Sequence, residues 1–306
     1  MSYKIMKQKL SKNKIVIIGL VLLIILLLVI SIIEGKTIWD FLELIIVPIV
    51  LAIVGYLISS SQRDIQDNIA KDNQRESSLQ EYFNKMADLM LQHELKKSAP
   101  GDEVRALART LTLTTLKRLD GERKGALLLF LKDAKLIKTP MDGETEFYPN
   151  PIVHSDNLDL SNVTLTDSFL QKTRLPWAKI NNANFYLSNL NGSDFREADL
   201  SKARLTDAKL MQTDLRKAKL IGANLRGTKL FDSDLRNADL QDADLSNCDM
   251  NYAKLHGTNL SGAKLTGTNL NKATFTDATI WPKGFDPIQE GAILDTAYVV
   301  DKVDND

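Results

Sequence analysis

The chain of 306 residues carries 39 basic and 39 acidic side chains, so no overall charge draws it toward nucleic acid or acidic lipid. One cysteine excludes an intramolecular disulfide, and the three histidines, His93, His154 and His256, lie in separate segments. No H-x-x-x-H, C-x-x-C, G-x-G-x-x-G or phosphate-loop pattern occurs, so no metal, cofactor or catalytic group is expected and the chain does not read as an enzyme.

Residues 1–14 contain Lys4, Lys7, Lys9, Lys12 and Lys14 and no acid, and Ile15 to Ile33 follow without a charge. That run is long enough to span hydrocarbon as a helix. A secretory signal is the rival reading, but its apolar core is usually shorter, and no small-x-small cleavage pattern follows. A second apolar run, Leu44 to Ser61, comes after a loop at 34–43, with Pro48 near its start and Trp39 and Tyr56 suited to interfaces. The pair predicts a two-helix transmembrane hairpin. Lysines before the first span and a net acidic loop place both termini in the cytoplasm of a multi-pass plasma-membrane protein, with the lipid bilayer as a partner.

Residues 62–138 read as a helical stalk and module. Ile65, Ile69, Leu79, Phe83, Met86 and Met90 fall on alternating three- and four-residue steps, interrupted by Asp72 and Glu76. Two readings stay open: a coiled-coil stalk making a homo-oligomer, or an amphipathic helix lying on the next segment. Ser98 to Gly101 breaks the helix, Asp102 is placed to cap the next, and Val104, Leu107, Leu111 and Leu119 form its apolar face. Asp120 and Gly121 stop it, and a short helix from Glu122 to Ala134 follows. Residues 139–157, with Pro140, Pro149 and Pro151, read as a linker whose Phe147, Tyr148, Ile152 and Val153 plug the next domain.

From Leu160 to Ile280 a large apolar residue occupies every fifth position without a slip. Two places earlier stands a small residue (Ala198, Ala203, Ala208, Thr213, Ala218), with a polar residue between. Five residues advance a helix by about 500°, scattering the leucines, and an odd period on a flat strand throws them onto alternate faces. A chain that turns a corner in every unit keeps both residues inside, which makes a solenoid. The segments SDFRE (193–197), TDLRK (213–217) and SDLRN (233–237) recur at 20-residue intervals, giving four units per coil.

These A-D-L-x-x units resemble the pentapeptide-repeat family. The resemblance implies a right-handed quadrilateral β-helix over 158–280, of about six coils at about 4.8 Å each. Residues 108–137 resemble a helical module that precedes the repeats in membrane-anchored bacterial members, and WPKGFDP (281–287) resembles the cap that ends many such solenoids, leaving an acidic tail to 306. The family also holds quinolone-resistance proteins that mimic duplex DNA. That role needs a strongly acidic wall, which this balanced repeat block lacks, so no nucleic-acid role is implied.

A core filled by Leu and Ala leaves no room for a ligand, and Cys248, in a small-residue slot, fills space. Information then lies on the outer wall. Asp194, Asp214 and Asp234 stack in one column and Arg196, Arg216 and Arg236 in its neighbour, a charge pattern that neutralises a surface or docks an oppositely patterned partner. Met211, Ile221 and Phe231 stand at outward positions and are expected to form one apolar patch on two adjacent walls. The functional expectation is a membrane-anchored scaffold displaying a rigid rod to the cytoplasm for an unidentified protein partner. The other reading is an oligomeric membrane effector or transport accessory acting through the hairpin.

Overall fold

The computed structural model describes residues 38–99, 101–137, 152–155 and 158–297. The chain divides into two compact units, Met1–Asp72 and Asn73–Asp306. Helix α1, Ile38–Leu91, is continuous over 54 residues. It is helical from Ile38, within the stretch expected to turn the hairpin, and runs past Ser61 into Arg63, Asp64 and Asp67 with no end where the second span should stop. Among the described residues no helix is long and apolar enough to cross a membrane. The two-helix transmembrane hairpin and the multi-pass localisation built on it are therefore corrected. The basic tail 1–14 and the first span 15–33 lie outside the described residues.

In the first unit Val50, Leu51, Tyr56, Ile58, Ile65 and Ile69 are exposed. In the second unit the seam of α1 follows the second of its two readings: Leu79, Tyr82, Met86 and Leu89 are buried against the module, with Phe83 and Met90 partly buried. After a 3-10 turn at Leu95–Lys97, helix α2 spans Glu103–Leu116 and helix α3 spans Gly121–Asp133. The expected apolar face packs on the core at Val104, Leu111 and Leu119, but Leu107 is exposed, and Ala108, Thr112, Thr115 and Leu116 are buried as well. The Tyr82 hydroxyl meets Thr112 Oγ1 at 3.0 Å, which lets a Thr stand in the packed face. Asp120 caps α3 by accepting from the Arg123 amide, while the Asp102 carboxylate bonds the Ala99 amide instead of its own helix.

From Asp159 onward every fifth residue forms a parallel bridge to the residue 20 later, as in Asp159 to Lys179 and Asp194 to Asp214, so four units do close one coil. Most central residues accept a bond from the amide three residues on, as in Val163 N to Leu160 O at 3.0 Å, with positive φ at the third turn residue. This left-handed corner recurs at every fifth position from Asn162 to Lys272, mostly at non-glycine residues such as Trp177, Glu197 and Tyr252. Such corners cost energy for residues with a Cβ. The stacking offsets it, because corner amides bond the next coil, as in Asn162 N to Asn181 O at 2.9 Å.

The core is two stacked columns per wall. Central residues such as Leu205, Leu215 and Leu235 are fully buried, and Ala, Ser, Thr or Cys fills the slot two before. Most hydroxyls in that slot donate to the carbonyl 23 residues earlier, as Thr228 does to Leu205 O and Thr258 to Leu235 O, both at 2.8 Å. Cys248 does the same toward Leu225 O, and burial pushes its thiol up to about 12. The slot accepts small polar residues because the coil below supplies an acceptor.

One residue breaks the expected register. Asn259 bridges Ile280, 21 residues on, because the chain between Thr276 and Thr279 folds into an extra tight turn. Thr279 takes the inward slot, donating to Leu255 O at 2.7 Å, and Ile280 is 53% exposed. The expected last central residue therefore faces out.

Both ends of the rod are covered. Helix α3 seats on the first coil: Thr164 N donates to Gly121 O at 2.9 Å and Lys124 Nζ to Ser161 O at 3.0 Å. A Cβ on Gly125 would lie 2.4 Å from Thr164 O, so glycine is what permits this approach. The helical module thus covers this edge together with Ile152 and Val153, both buried. Phe147 and Tyr148, the other expected plug residues, lie outside the described residues. At the far end β1, Thr274–Phe275, pairs in parallel with β2, Ile293–Leu294. Trp281 meets Phe275 edge-on at 5.4 Å and stacks on Phe285, which anchors the cap.

Candidate docking wall

Because a coil has four walls, residues 20 apart stack and residues ten apart lie on opposite sides. One wall is built on the column Arg174, Asp194, Asp214, Asp234 and Lys254. Beside it, at the corner that follows, stand Arg196, Arg216, Arg236 and His256. At the corner that precedes it stand Met211 and Phe231, then Gln212, Asp232, Tyr252 and Lys272.

The charges interlock along the rod. Each Asp accepts Oδ1 bonds from the backbone amide of the Arg two residues later, at 3.2 Å in all three coils, which fixes the corner. The same carboxylates hold their own arginines side on, with Nη2 to Oδ2 distances of 2.7, 2.7 and 2.6 Å. A second contact reaches the next coil: Arg196 Nε lies 3.4 Å from Asp214 and Arg216 Nε 3.7 Å from Asp234. Arg174, 3.2 Å from Asp194, begins the ladder. Burial alone would raise the Asp194 and Asp234 carboxyls, but bonds from Arg196 and Arg236 hold both below the usual carboxylate range.

The carboxylates are recessed beneath the arginines. Asp194, Asp214 and Asp234 side chains are 12%, 27% and 17% exposed, against 33%, 39% and 27% for Arg196, Arg216 and Arg236. The wall therefore presents guanidinium to the outside even though each of these arginines is paired with an aspartate. A shallow groove of about 250 Å³ runs along this corner, lined by the three arginines with Glu197, Lys217 and Asn237.

The expected apolar patch is corrected. Met211 and Phe231 stack one coil apart on the preceding corner, since Gln212 N bonds Phe231 O at 2.9 Å. Ile221, ten residues from each, bonds into the column of Lys202 and lies on the opposite corner. Two residues that the sequence reading passed over complete the strip. Tyr252 packs edge-on to Phe231 at 5.5 Å, and Lys272 bonds the Tyr252 hydroxyl at 2.9 Å. The 20-residue spacing of Gln212, Asp232, Tyr252 and Lys272 was the signal available for this. Eight of the nine expected surface residues thus flank or form one wall, and Ile221 does not.

At the top of the arginine column the pattern changes to His256, buried beneath the cap with Nε2 3.5 Å from Asp295. Burial depresses its pKa, partly opposed by Asp295. Among the described residues no cluster of His, Cys, Asp and Glu has a geometry that could hold a metal ion.

Known proteins share this repeat. A family model described as pentapeptide repeats matches residues 159–196, 193–230, 228–267 and 238–277. A pentapeptide repeat protein from the Arabidopsis thaliana thylakoid lumen is 33% identical over 30% of this chain and 68% of its own, with a TM-score of 0.25. One from Nostoc PCC 7120 is 31% identical over 45% and 84%, with a TM-score of 0.24. HetL from Nostoc, involved in heterocyst differentiation regulation, is 25% identical over 49% and 78%, with a TM-score of 0.23. The kinship rests on the repeats and the shared sequence. A search of curated proteins finds no match. On its repeats, the chain belongs to the pentapeptide-repeat family.

Proposed function

We propose that the rod is a rigid protein-docking scaffold and that the wall from Met211 and Phe231 across Asp194, Asp214 and Asp234 to Arg196, Arg216 and Arg236 is its contact face. The observation that supports this most is the exposed arginine column above recessed, satisfied carboxylates. Such a face costs a partner little desolvation of buried charge and offers an aromatic anchor at its edge. The interior is filled by fully buried Leu and small residues, which supports a reading in which the rod acts by shape and surface.

The test uses the full chain with a photocrosslinking residue placed across this wall and, separately, on the opposite wall at Asn224, Asp244 and Lys264. A partner whose adducts appear from this wall and vanish in Phe231→Asp or Arg216→Glu supports the reading. Equal adducts from both walls, or adducts unchanged by both substitutions, would remove it.

A further inference from the structure

The docking wall has a spacing, and spacing restricts what can lie on it. Accepting that wall as the contact face, we infer that its occupant is an acidic amphipathic helix laid along the rod axis. The first argument is charge. The groove is lined by Arg196, Arg216, Lys217 and Arg236 against one acid, Glu197, which Lys217 holds at 3.8 Å. The arginine side chains are more exposed than the aspartates they bind, so the outward potential is that of a basic rail.

The second argument is pitch. Successive arginines are one coil apart, about 4.8 Å. A helix presents one side chain per turn on a given stripe at about 5.4 Å. A strand presents alternate side chains at about 6.7 Å. Over the two steps from Arg196 to Arg236 a helix is out of register by about 1 Å, within the reach of an arginine side chain, whereas a strand is out by about 4 Å.

The third argument is width. A wall of three extended residues and its corner is about 10 Å across, which is the diameter of a helix with its side chains. A helix carrying acids on the stripe over the arginines places its neighbouring stripe over Met211, Phe231 and Tyr252. Phe231 and Tyr252 are 37% and 44% exposed and packed edge-on, a preformed anchor for leucine side chains.

The test is fluorescence polarisation with the full chain and a labelled, lactam-bridged helical peptide bearing one glutamate per turn on one stripe and leucine on the next. Three controls accompany it: a proline-broken peptide of the same composition, a version with lysine in place of glutamate, and high salt. The helical acidic peptide should bind, the lysine version should not, and salt should weaken binding. Arg216→Gln and Phe231→Asp should each weaken it about tenfold. Lys217→Glu, on a side chain 55% exposed and free to change without loosening the core, should do the same if Arg216→Gln disturbs folding. Arg226→Gln, on the opposite side, should change nothing. Equal binding of the proline-broken peptide would overturn the helix while leaving the wall in place. Binding indifferent to Arg216, Lys217 and Phe231 would overturn the groove itself.

Discussion

Glycine serves two purposes in this rod, and substitution separates them. Gly192 sits at a corner with φ of 64°, its nearest neighbour on adding a Cβ is Lys172 Cγ at 3.6 Å, and equivalent corners carry Asn. Gly192→Asn should therefore cost less than about 1 kcal/mol. Gly125 faces backbone, where a Cβ meets Thr164 O at 2.4 Å, so Gly125→Ala must lift α3 off the first coil at a cost of about 1–3 kcal/mol. Thermal melts of the two variants test the distinction, and a larger loss at Gly192 would contradict it.

The acid side of the pH profile is set by single residues as well. Asp194 and Asp234 titrate below their ordinary 3.8, so their contribution is intact above that value and is lost as pH falls through the lowered range. His256 titrates below its ordinary 6.5 because burial disfavours its charge. The folded chain then binds fewer protons than the unfolded one, so stability should begin to fall as pH drops through 6.5 and level off below the depressed pKa. His256→Asn should flatten that upper step without moving the acid step, as read from melting temperature against pH.

Among elements, the ends were less legible than the middle. The corner-turning coil follows from residues such as Leu200 and Ala203, whose fixed spacing leaves no helical or flat-strand alternative. The slip at Ile280 does not, because Thr279 and Ala278 both suit the inward slot and only the closing turn from Thr276 decides between them. The seat of α3 was hidden for a related reason. Gly121 reads locally as a helix stop and nothing local marks Gly125, because the meaning of both lies in a backbone some 40 positions later. Helix α1 misled most: the apolar run before Ser61 carried no local sign that the helix starts within the expected loop and continues to Leu91. At the C-terminal end, Trp281→Ala removes the ring that meets both Phe275 and Phe285. Exchange of the Ile293 and Asp295 amides, bonded to Ala273 O and Phe275 O, should then accelerate while the amides of Leu215 and Leu220 stay protected.

At the scale of the molecule, the site was partly legible. Stacking of Asp194 on Asp214 and of Arg196 on Arg216 could be counted from the sequence, but which of the two rows stands proud of the surface depends on side-chain reach and corner geometry. Counting also misled for Ile221, whose ten-residue offset from Met211 is half a coil and puts it on the far side. On the proposed docking reading, what the rod offers a partner is one wall of four, with an arginine rail, a recessed acidic floor and an aromatic edge.

The most direct test of that claim is a photocrosslinking comparison in the full chain between Phe231 and Asn224, on opposite sides of the same coils. The account predicts protein adducts from Phe231 that are lost when Arg196, Arg216 and Arg236 are all reversed in charge, and none from Asn224. Adducts of equal yield from both positions, untouched by the reversal, would contradict it.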